Sequence, residues 1–135
     1  MKRKVDKIID EQYFRQEGEY LAECSLHIKN NAKFNKLVVK GDLIVDGIIC
    51  AEEVDVEGNL IVEKSISTTN LHVGGNLKVN GKVCLDGDLH VKGDCEIANF
   101  APKYSNVYVG GKFKTEIMSL SSCVHCISIG YSANS

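Results

Sequence analysis

No apolar run in this chain approaches the roughly 20 residues that a membrane-spanning helix needs, and proline occurs once, at Pro102. The first absence excludes a helical membrane span, and the second excludes a collagen-like rod. Neither sign of charge dominates: 16 basic and 18 acidic residues leave a formal net charge of -2. They alternate along the chain in no long block, which excludes nucleic-acid binding driven by bulk charge. The start, Met1 to Lys4, is basic, but Val5 to Tyr20 carries too many charges for a signal-peptide core. The cysteines, at 24, 50, 84, 95, 123 and 126, lack the spacing of a disulfide framework. Together these features predict a cytoplasmic protein. Its 135 residues are enough for one domain with a real core.

What is present is a repeat, and repeats are sought first because they decide the fold. Val39-Lys40-Gly41-Asp42-Leu43 returns as Val56-Glu57-Gly58-Asn59-Leu60 and again as Val73-Gly74-Gly75-Asn76-Leu77. Val91-Lys92-Gly93-Asp94-Cys95 and Val109-Gly110-Gly111-Lys112-Phe113 follow. The glycines at 41, 58, 75, 93 and 111 are 17, 17, 18 and 18 residues apart.

Each repeat resolves into three short strands whose first and third residues are apolar, the alternation that sends side chains in and out by turns. The first face reads Leu37/Val39, Val54/Val56, Leu71/Val73, Leu89/Val91 and Val107/Val109, continuing at Val124/Cys126. The second runs from Leu26/Ile28 through Leu43/Val45, Leu60/Val62, Leu77/Val79 and Cys95/Ile97 to Phe113/Thr115. The third holds Ala32/Phe34, Ile49/Ala51, Ile66/Thr68 and Val83/Leu85, then loses regularity near Phe100 to Pro102. Between strands the corners collect Gly, Asn and Asp, residues that tolerate a left-handed backbone at a sharp bend. The predicted fold is therefore all-β: a right-handed, three-faced parallel β-helix of about six coils. Right-handed winding is preferred because both inward positions of each strand are bulky, whereas left-handed hexapeptide helices pair one bulky with one small residue. An amphipathic α-helix is expected over residues 1–20 as a cap, with Val5, Ile8, Ile9 and Tyr13 on one face. The solenoid is expected over 21–131 and a short tail over 132–135.

The tandem Leu-x-Val-x-Gly-[Asp/Asn] pattern over residues 26–115 resembles the bactofilins, polymer-forming bacterial cytoskeletal proteins built on a short, loop-free right-handed β-helix. That resemblance implies a structural protein that self-associates and needs no cofactor.

An open solenoid has two raw ends, which must be capped or used. The predicted helix suits the first end, or the outward apolar residues Val38, Ile44, Ile48 and Ile61; contact of that helix with a membrane is the lesser reading. The C-terminal end offers Phe113, Leu120, Val124, Ile127 and Ile129 with nothing evident to seal them. Self-association through that end is expected, as a closed dimer if the first end is capped or as a filament if both ends are used. The alternative is a small capped solenoid that binds another protein, as an inhibitor or adaptor, through Val38, Ile44 and Ile61 or through the outward His/Tyr column of the first face. A metal-dependent activity stands third: on the first face the outward residues run Val38, Asp55, His72, His90, Tyr108 and His125, and two histidines beside a carboxylate can hold a divalent ion. Surface histidines stacked by the repeat are the plainer interpretation. Cys123-Val-His-Cys126 has no second ligand pair, and Cys50 and Cys84 fall two coils apart, too far for a disulfide. No phosphate-binding glycine loop, nucleophile elbow or cleft-forming long loop is present, so no enzymatic activity is expected.

Overall fold

The computed structural model describes residues 7–103, 106–118 and 128–129. Every element in them is a strand: β1 (Lys7–Ile9), β2 (Tyr13–Ala22), β3 (Leu26–Ile28), β4 (Asn31–Val39), β5 (Leu43–Val45), β6 (Ile48–Val56) and β7 (Leu60–Val62). Then come β8 (Ser65–Val73), β9 (Leu77–Leu85), β10 (Leu89–Val91), β11 (Cys95–Pro102), β12 (Asn106–Val109), β13 (Phe113–Met118) and β14 (Ser128–Ile129). Each pairs in parallel with the strands one coil away, so the chain is a parallel β-solenoid of about six turns.

The three predicted faces are all there. Leu37, Val54, Leu71, Leu89 and Val107 stand in one in-register column on the first face. Leu26, Leu43, Leu60, Leu77 and Cys95 form the corresponding column on the second. On the third, Ile49, Ile66, Val83 and Phe100 follow Ala32. All of these side chains are buried. At roughly 1.5–3 kcal/mol for each large side chain removed from water, these columns are the main stabilising term. Among the described residues Thr68 is the buried polar one, and its hydroxyl lies 3.3 Å from the carbonyl of Glu52 and 3.1 Å from that of Asn70. Among the described residues no buried side-chain nitrogen or oxygen lacks a partner.

Two expectations are corrected. Residues 7–22 are not a helix but the first coil. β1 pairs with β3 and β2 with β4, and backbone bonds run from Lys7 N–H to Ser25 O (3.1 Å) and from Lys29 N–H to Ile9 O (2.9 Å). Ile9 is buried while its supposed face-mates Ile8 and Tyr13 are exposed, as in-and-out alternation requires. Gly18, at φ +79°, sits where the register slips between Gln16 and Glu19, and its N–H donates to Asn35 Oδ1 at 2.8 Å. A helix there would have left the strands of the second coil without backbone partners on that side. The second correction lies at the far end. Val107 pairs with Ile129, so Ile129 and not Val124 continues the first face. Val124 and Cys126 lie outside the described residues.

Candidate functional site

The corners determine how one coil presents itself to the next. Asn59 N–H donates to Asp42 Oδ1 (2.8 Å), Asn76 N–H to Asn59 Oδ1 (2.8 Å), Asp94 N–H to Asn76 Oδ1 (2.8 Å) and Lys112 N–H to Asp94 Oδ1 (2.9 Å). Ser25 Oγ serves as the first acceptor, 3.0 Å from Asp42 N. Beside this ladder runs a backbone one, Gly58 N–H to Gly41 O, Gly75 N–H to Gly58 O and onward to Gly111. A Cβ at Gly75 would run into Asn59 Oδ1 and stand 2.9 Å from Gly58 O. These corner glycines do not have a positive φ, unlike Gly18. Space, and not a left-handed backbone, selects glycine there. Lys112 carries no side-chain acceptor, so the Asx ladder ends with it.

The first end of the core is closed by aromatic side chains. Phe14, Tyr20 and Phe34 form a triad with ring centroids 5.5–5.7 Å apart. Lys7 Nζ lies 5.2 Å from the centre of the Tyr20 ring. This plug was missed by the sequence reading, although Tyr13, Phe14, Tyr20 and Phe34 crowd one short stretch. Towards the other end, Phe113 packs edge-to-face on buried Phe100 at 5.7 Å. Of the residues expected to carry self-association, Phe113 is thus partly buried and Ile129 is in strand β14, while Leu120, Val124 and Ile127 lie outside the described residues.

The patch expected at Val38, Ile44 and Ile61 is divided. Ile44 and Ile61 are register partners on the second face, whereas Val38 lies between Leu21 and Asp55 on the first. On that first face the outward column is real: Val38, Asp55, His72, His90 and Tyr108 are in register. The His72 and His90 rings are 5.4 Å apart and the His90 and Tyr108 rings 4.7 Å, both edge-to-face. His125 lies outside the described residues. Among the described residues no three His, Cys, Asp or Glu side chains are gathered into a ready-made metal cage.

Inter-coil ion pairs flank these columns, Lys40 with Glu57 at 3.0 Å and Lys36 with Glu53 at 3.7 Å, and His27 Nε2 is hydrogen-bonded to Asp46 Oδ2 at 2.9 Å. The hydrogen bond and charge of Glu57 hold the Lys40 ammonium above the ordinary lysine value. On the third face a shallow groove of about 740 Å³ runs over the small outward residues Cys50, Ser67, Cys84 and Ala101. Cys50 and Cys84 each neighbour Ser67, so one strand separates them. Cys95 is a core residue, and burial pushes its thiol up to about 12.

The fold thus defines the class as a parallel β-solenoid of nearly loop-free coils. No protein-family model, curated protein or solved structure matches the chain.

Proposed function

We propose that this chain is a structural scaffold: a right-handed, bactofilin-like solenoid, without enzymatic activity, that self-associates through its coil ends in the cytoplasm. The observation that carries the reading is where apolar surface is left. Of the large apolar side chains that stay exposed, Ile8, Tyr13 and Leu21 are in the first coil and Ile117 is in β13, the last long strand. Among the described residues the coils between add Ile48, and Tyr108 is on β12, next to β13 in the chain. Among the described strands, β1 and β2 pair on one side only, as does β13. Such edges accept further strands. Right-handed winding is supported by the strong preference of parallel strand crossovers for that hand.

The absence of a helix over residues 7–22 bears on the form of assembly. A closed dimer needs one end blocked, and a helical cap was the reason to expect it. With a strand-bearing coil at residues 7–22 in place of that helix, an open chain of solenoids is favoured over a dimer. Electron microscopy and light scattering of the purified chain test this. Filaments or long oligomers are expected, and Leu21→Lys and Ile117→Lys should shorten them while leaving the far-ultraviolet circular dichroism unchanged. A strictly monomeric wild-type chain would sink the scaffold reading and leave the protein-binding module in its place.

A further inference from the structure

We propose that His72 and His90 together form a two-imidazole site for a divalent transition-metal ion such as copper or zinc, a site that does not depend on the scaffold reading. The register places the two residues directly opposite each other on neighbouring parallel strands of the first face. Both side chains alternate outward, since Leu71, Val73, Leu89 and Val91 take the inward positions. With metal–nitrogen bonds of about 2.0–2.1 Å and a tetrahedral angle, two imidazole centres around one ion stand roughly 5 Å apart. Here the ring centroids are 5.4 Å apart. The rings therefore already have the separation that shared coordination requires.

The surroundings favour a cation. His72 and His90 share a hollow of about 510 Å³ with Asp55, Glu57 and Lys92. On its other side His72 shares a second hollow with Asp55, Asp88 and the paired Lys36 and Glu53. Asp55 is the register neighbour of His72 and the nearest carboxylate in the column. Glu57 is paired with Lys40 and Glu53 with Lys36, so the charges left in the two hollows are Asp55 and Asp88 against Lys92, an excess of one carboxylate. Tyr108 lies edge-to-face on His90 from the other side and restrains that ring at 4.7 Å. Two ligands and solvent make an open site; among the described residues no three-residue cage is gathered. Its consequence is mechanical. An ion bonded to both imidazoles staples the coil of residues 60–73 to the coil of residues 77–91, and a ligand that binds only the folded state raises stability.

The test uses the whole chain with its accessible thiols alkylated, so that cysteine cannot compete for the metal. Pulsed electron paramagnetic resonance of the copper(II)-loaded protein counts bound imidazoles, and calorimetry gives the affinity. Two imidazoles are expected in the wild type and one in His72→Gln or His90→Gln, each with at least a tenfold loss of affinity. Zinc should raise the melting temperature of the wild type and of neither variant. Both substitutions are on the outer surface, and circular dichroism confirms that the variants fold. A wild-type spectrum with any other imidazole count, or an unchanged affinity in either variant, overturns the proposal; the imidazole count does so without recourse to a variant.

Discussion

The corner glycines give the sharpest test of how this solenoid is held together, and Gly75→Ala is the perturbation to make. In an ordinary site with negative φ, Gly→Ala stabilises by about 0.4–1 kcal/mol because the unfolded chain loses freedom. At Gly75 the new methyl would meet Asn59 Oδ1 and stand 2.9 Å from Gly58 O and 3.0 Å from Gly58 C. The two backbone atoms cannot retreat easily, because Gly58 O accepts the Gly75 N–H at 2.8 Å. Overpacking of this kind costs about 1–3 kcal/mol. Displacing Asn59 also removes the acceptor of the Asn76 N–H, worth about 1 kcal/mol. The clash wins, and a net loss of about 2 kcal/mol is expected. Asn59→Ala alone should cost about 1 kcal/mol, since it leaves Asn76 N–H to water. In the Asn59→Ala background Gly75→Ala should cost about 1 kcal/mol less than in the wild type, because the nearest obstacle and the bond it would break are already gone. Urea unfolding followed by circular dichroism, at one fixed protein concentration, measures all three. A neutral or stabilising Gly75→Ala would refute the claim that space selects glycine at this corner. Strict additivity would show that the Asn59 side chain is not the obstacle.

Other consequences follow from burial. Leu60→Ala, in a fully buried column with Leu43 and Leu77 as neighbours, should lower stability by about 2–5 kcal/mol in the same assay. Phe14→Ala removes one member of the first-end plug; amide exchange should quicken across residues 7–22 and leave the middle coils protected, as nearest-neighbour stability implies. Cys95 keeps its proton in the folded state up to about 12, against an ordinary value of 9.0. Between those values the unfolded chain has released the proton and the folded chain has not, so stability should fall as pH rises above 9, by about 1.4 kcal/mol per unit from this residue. The fall should be shallower in Cys95→Ala. In the native protein at pH 8, exposed Cys84 should alkylate and Cys95 should not.

The parts of the fold that the sequence disclosed are those in which every coil has two neighbours. Leu43, Leu60 and Leu77 recur because each must match a side chain above and another below, and a column of like residues meets both demands. The corner glycines recur for the same reason, although their cause, crowding by the preceding Asn or Asp, is visible only once the coils are stacked. The first coil escaped notice because it has a neighbour on one side alone. Lys7 and Gln16 occupy positions in register with buried Leu26 and Phe34, yet remain exposed, so the apolar rhythm is broken there. What remained, Ile8, Ile9 and Tyr13 among charges, resembled one helical face. The far end misled in a related way: Ile129 is 22 residues beyond Val107, a longer step than any in the regular coils.

That same one-sidedness ties architecture to function. In a solenoid the interior coils are interchangeable, so the chain's own character must be written where the repeat is broken, or on the outer columns that packing leaves unconstrained. Both occur here. At the first end, aromatic rings cover the core while Ile8, Tyr13 and Leu21 stay exposed beside β1 and β2, which among the described residues pair on one side only; the proposed end-to-end association rests on these features. On the first face, neither histidine is needed for packing, since the inward residues bury the core alone. Their stacking is a product of the repeat, and it places two imidazoles 5.4 Å apart, the spacing on which the proposed metal site rests.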